Sequence, residues 1–150
     1  MAESFPLQTV MELMHSRTET AARELGKLVA TEQDANAKLQ LLENYRTEYI
    51  QRFQDAAKNG ISPQQWANYQ DFTYKLDDAV AQQTKIVAAA HERTLDGQRR
   101  WLEQRNKAKA FDTLAQKHEI QQRYQEGKQE QKFSDELTSR KHRLKHQGDE

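Results

Sequence analysis

His142 and His146 stand four residues apart near the end of the chain. On a helix that spacing puts two imidazoles on one face, as a pair of metal-binding histidines requires. The surrounding run RKHRLKH, Arg140 to His146, supplies positive charge and no third ligand. The pair therefore reads as solvated histidines, and no metal is expected. The same run has the charge to touch RNA, acidic lipid or an acidic protein groove. A lone basic cluster balanced by acid elsewhere reads instead as a solvated end or a protein contact, and no nucleic acid is expected. His15, His91 and His118 are single. The chain carries no phosphate-cradling glycine loop, no nucleophile motif and no HExxH pattern, so neither a catalytic residue nor a cofactor is expected. It has no cysteine, which removes disulfide and thiolate chemistry.

Five tyrosines, five phenylalanines and two tryptophans hold more information. Leu42, Tyr45 and Tyr49 lie on one flank of the first half of the chain, and Phe72, Leu76 and Ala79 answer them in the second. On the residues alone this stripe reads as a broadened core with tyrosines reaching outward, or as an exposed docking patch. The choice depends on the elements that carry it.

Those elements are helices. With 150 residues, 35% hydrophobic and 31% charged, and a mean hydropathy of −1.11, the chain is too polar for a rounded domain. Two helices zipped along a seam need only about two apolar positions in seven. The formal net charge is zero, so nothing draws the whole chain toward polyanions. The opening MAESFPLQTV lacks the basic start and apolar core of a secretory signal, and no later run could span a bilayer. A cytoplasmic protein is expected.

The heptads are explicit. Leu7, Met14, Ala21, Leu28, Ala35, Leu42, Tyr49 and Ala56 recur every seven residues, with Met11, Leu25, Leu39 and Phe53 as companions in a row interrupted by Thr18, Glu32 and Arg46. The second arm repeats Thr73, Val80, Val87, Thr94, Trp101, Ala108 and Ala115 beside Tyr69, Leu76, Gln83, Ala90, Gly97, Gln104 and Phe111. Between the arms lies KNGISPQQW, residues 58–66. Asn59-Gly60 ends a helix, Ser62 with Gln65 forms a capping box, Pro63 fits a first turn, and Ile61 with Trp66 forms a staple. Folding back there pairs residues whose numbers sum to about 122. Phe53 meets Tyr69, Ala21 meets Trp101 and Thr18 shares its polarity with Gln104.

The expected fold is all-α: a long antiparallel two-helix coiled coil, a helical hairpin, with an overhanging C-terminal helix. A single coiled-coil domain is expected over 1–150, with helix 1 at about 5–58, the turn at 59–62, helix 2 at about 63–140 and a flexible tail at 141–150. Two arms of about 50 residues would extend roughly 75 Å.

NGISPQQWANYQDFTYKLDDAV, with LLENYRTEY before it and AARELG nearer the start, resembles the flagellar export protein FliJ family. The matching residues include Asn59, Gly60, Ile61, Trp66, Asn68, Tyr69, Gln70, Phe72, Leu76, Ala79, Leu42, Tyr45, Glu48 and Tyr49. The resemblance implies a non-enzymatic stalk of the flagellar type III export apparatus, cytoplasmic and peripherally associated with the inner membrane at the flagellar base. Implied partners are the hexameric export ATPase FliI, the cytoplasmic domain of the export gate protein FlhA, and export chaperones. It turns the stripe into a gate-docking surface of Leu42, Tyr45, Tyr49, Phe72, Leu76 and Ala79, bordered by Lys38 and Gln83, which depart from the family pattern. A coiled-coil stalk of a virulence type III secretion system, or a generic structural coiled-coil adaptor, is the alternative.

Overall fold

The structure, a computed structural model, describes residues 4–148. It contains two helices, α1 at Gln8–Lys58 and α2 at Pro63–Gly148, and no strand among the described residues. The chain is an all-α helical hairpin.

The reversal is built from local chemistry. Asn59 and Gly60 donate their backbone N–H groups to the carbonyls of Ala56 and Ala57, both at 3.2 Å. Gly60 then takes φ = +84°, a conformation only glycine enters without strain. Ser62 and Gln65 form the reciprocal capping box. The Gln65 N–H donates to Ser62 Oγ at 3.2 Å, and the Ser62 N–H donates to Gln65 Oε1 at 3.1 Å. Of the anticipated staple, Ile61 is half-buried and Trp66 stays exposed.

α2 continues as helix through Gly148, past the boundary expected near residue 140. The segment read as a tail is thus helical to 148, and positions 149 and 150 lie outside the described residues. At the other end α1 begins at Gln8 rather than near residue 5.

By its contacts the chain divides into two compact units, one of residues 19–103 and one of residues 1–18 with 104–150. In the first, the buried positions are Ala21, Ala35, Leu76, Gln83, Ala90, Thr94 and Gly97. Every one belongs to the heptad rows. Their small size brings backbones together: a Cβ on Gly97 would sit 2.7 Å from Leu28 Cδ1 and 3.8 Å from the Leu25 Cα. Gln83 and Thr94, polar residues in the seam, bond the facing helix. Gln83 Nε2 donates to the Ala35 carbonyl at 3.0 Å, and Thr94 Oγ1 lies 3.4 Å from the Leu28 carbonyl and 3.1 Å from that of Ala90. The antiparallel register also shows in Phe53 against Tyr69, with ring centroids 5.3 Å apart.

In the second unit Met14 and Ala108 are buried. His15 Nε2 meets Asp112 Oδ1 at 2.7 Å, and Phe5 packs on the His118 ring at 5.5 Å. The sharing expected between Thr18 and Gln104 fails here. Thr18 Oγ1 donates to its own helix, to the Met14 carbonyl at 2.8 Å, the habitual refuge of a helical threonine. Gln104 Oε1 is left buried without a hydrogen-bond partner.

Two glycine substitutions separate propensity from packing. Gly26 faces open space, so Gly26→Ala should raise stability by about 0.5–1 kcal/mol. Gly97→Leu should lower it by about 1–3 kcal/mol through overpacking against Leu25 and Leu28. Thermal unfolding followed by circular dichroism checks both, and equal responses at the two sites would refute this account of Gly97.

Candidate docking surface

All six residues of the stripe lie in the 19–103 unit. Tyr45 is 51% exposed and Leu76 only 7%, while Leu42, Tyr49, Phe72 and Ala79 are half-buried. The stripe is therefore graded. Leu76 belongs to the seam and forms its floor, and Tyr45 is its outermost member.

Tyr49 is the hub. Its ring lies 4.4 Å from Phe72 and 5.4 Å from Tyr69, both tilted, within the range where aromatic pairs attract beyond their burial. Burial among these rings, followed by the neighbouring Tyr69 and Tyr45 phenols, pushes the Tyr49 hydroxyl above its ordinary value. Desolvating a phenolate is what costs here, so Tyr49 presents a neutral hydroxyl and a ring face over the physiological range.

Three features escaped the sequence reading. Tyr69 and Phe53, read there only as seam residues, continue the cluster toward the turn. Arg46, read as an interruption of a heptad row, forms an ion pair with Asp77 of the facing helix. Its signal was present, since 46 and 77 obey the same pairing rule as the seam. Near the turn, Tyr49, Arg52, Gln65, Asn68 and Tyr69 line an open cleft of about 310 Å³. Of the two border positions, Lys38 is exposed and Gln83 is buried. Gln83 serves the seam through the Ala35 carbonyl.

A second polar cluster crosses the same unit. His91 Nδ1 meets Glu32 Oε1 at 2.7 Å. The Thr94 hydroxyl first, and then the His91 ring, hold the Glu32 carboxyl below its ordinary value of 4.5. His142 and His146 are brought together, with ring centroids 4.9 Å apart and edge to face. Among the described residues no three His, Cys, Asp or Glu side chains form a group able to hold a metal. No helix of the described residues is long and apolar enough to cross a membrane.

A helical hairpin with polar seam bonds and an aromatic flank is a coiled-coil scaffold, and the comparisons with known proteins make it a component of type III export. The flagellar FliJ protein family profile matches residues 3–147. The chain belongs to the FliJ family. It is 28% identical to the flagellar FliJ protein of Salmonella typhi over 140 residues, covering 93% of this chain and 95% of that one. It is 29% identical to the Escherichia coli K12 protein of the same name over 140 residues, with the same coverage. Among solved structures, one described as a YscO homolog, CT670, from Chlamydia trachomatis superposes with a TM-score of 0.67. That match has 16% identity and covers 97% of this chain and 98% of the other, a likeness of fold.

Two titrations test the electrostatics. The Tyr49 phenol should titrate above the ordinary tyrosine value in an ultraviolet titration, and Tyr49→Phe should remove that late component. For Glu32 the folded value lies below the unfolded one, so its contribution is complete above 4.5 and disappears as pH falls through the lowered folded value. As pH falls from about 5 through the lowered folded value, the difference in melting temperature between the natural chain and Glu32→Gln should shrink. A difference that grew over that acid range would contradict the assignment.

Proposed function

We propose that this chain is a non-enzymatic stalk and adaptor of flagellar type III export. It engages the hexameric ATPase FliI, docks the cytoplasmic domain of the gate protein FlhA, and escorts export chaperones. It works as a single coiled-coil domain on the cytoplasmic side of the inner membrane, at the flagellar base. Membership of the FliJ family supports the setting. The observation that carries the docking surface is Tyr45, half exposed beside the Tyr49–Phe72 cluster. Aromatic anchors whose rings lie partly open are the side chains that dominate binding hot spots.

In this reading Tyr45 inserts into the gate protein, while Leu42, Tyr49, Phe72 and Ala79 supply the surrounding apolar contact. Leu76 supports them from beneath. The seam leaves these rings partly open because two helices cannot enclose side chains of that size. The same family membership favours the flagellar system over a virulence system.

Tyr45→Ala combined with Phe72→Ala should weaken binding to the FlhA cytoplasmic domain about thirtyfold or more, the scale of a lost hot spot. Helix content should stay unchanged. A collapse of helicity would make the stripe structural, and unchanged affinity would remove it from the gate interface. Added FliI should hydrolyse ATP faster in the presence of the natural chain, and no stimulation at any ratio would count against the stalk.

A further inference from the structure

From Arg123 to Gly148 every residue of α2 is exposed. An isolated helix in water is marginal, because its backbone bonds barely offset the ordering of each residue. Its apolar side chains are nevertheless patterned. Phe133, Leu137 and Leu144 are 65%, 43% and 69% exposed. With Arg140 they follow steps of four, three and four, the d-a-d-a rhythm of a coiled-coil stripe. Glu136 and Arg143 then occupy successive flanking g positions, and Ser134 and Lys141 the e positions.

This pattern complements itself when one copy is laid against another in the opposite direction. Phe133 falls opposite Leu144, and Leu144 opposite Phe133. Leu137 falls opposite Arg140, whose methylene stem can cover it while the guanidinium stays wet. In an antiparallel coil g faces g, so Glu136 meets Arg143 and, by the two-fold symmetry, Arg143 meets Glu136. Running the copies in the same direction would set Arg140 against Arg140 and Glu130 against Glu130, like charges in the stripe itself. The like charges within the stripe thus favour the antiparallel direction, in which a second copy complements this one.

We infer that the exposed end of α2 is a self-association surface, pairing two copies of this chain antiparallel with Phe133 on Leu144 and Glu136 on Arg143. The pairing is weak, since three apolar side chains from each copy must offset the cost of association. It stands independently of the stalk reading, because neither the ATPase nor the gate protein enters it.

Sedimentation velocity of the full-length chain at low salt, over rising concentration, should show a monomer–dimer equilibrium. Glu136→Arg alone and Arg143→Glu alone should each weaken dimerisation about tenfold, by setting like charges together twice. The double exchange, Glu136→Arg with Arg143→Glu, should restore it to within about threefold, and Leu137→Asp should abolish it. The chain has no cysteine, so orientation can be read from single introduced thiols. Ser134→Cys chains mixed with Lys141→Cys chains should yield the mixed disulfide in preference to either like-with-like product. Monomers at every concentration, no recovery in the double exchange, or like-with-like crosslinks would each overturn the proposal. Circular dichroism of every variant separates these outcomes from unfolding, since all the substituted positions are exposed.

Discussion

Two helices pressed together can hide only a narrow strip of each, and that constraint governs the rest of this protein. No large side chain is fully buried among the described residues. The interior of the 19–103 unit is made instead from alanine, glycine, threonine, glutamine and a single leucine. Such residues contribute little hydrophobic free energy apiece. What they permit is close approach, seen where Gly97 leaves no room for a side chain beside Leu25 and Leu28. Cohesion is spread along many weak layers, which is how a chain this polar can still fold.

A shallow seam needs some device against slippage, and polar contacts supply it. The Gln83 amide reaches the Ala35 carbonyl, and Thr94 lies against the Leu28 carbonyl. Shifting the helices would strand the Gln83 amide in a region water does not reach, at a cost of about 1–3 kcal/mol, whereas Thr94 would keep the Ala90 carbonyl of its own helix. The ion pairs Arg46–Asp77, His91–Glu32 and His15–Asp112 also join α1 to α2. Exposed pairs of this kind add little stability, but they agree with a single register and oppose others. Gln104 is the exception, with its buried Oε1 unpartnered.

The exposed aromatic flank is a consequence of the same narrowness. Rings as large as Tyr49 and Phe72 cannot be enclosed between two helices, so they lean on one flank and on each other. Tyr45, one turn from Tyr49, remains largely in water. An apolar-aromatic face therefore remains partly in water along that flank. Its Leu76 floor is buried in the seam while Tyr45 at its rim is half exposed.

Much of this was legible in order. The NGISP turn announced its own geometry, because capping and positive-φ preferences act within a few residues and need no tertiary partner. The heptad rows named every buried position of the 19–103 unit, since a helix repeats its faces with a fixed period. The FliJ resemblance rested on residues outside that repeat, Trp66, Asn68 and Gln70 among them. Periodicity could not rank Leu76 against Leu42, because both lie in seam rows and their burial differs with the depth of the facing helix. It placed Thr18 beside Gln104, yet the threonine had a nearer acceptor in its own helix. By itself the sequence determined the helices, their reversal and the pairing rule, all consequences of local preference and repeat. Only the tertiary structure decided which stripe residue is floor and which is rim, and which seam polar groups are satisfied. Those outcomes depend on distances of a few ångströms between residues far apart along the chain.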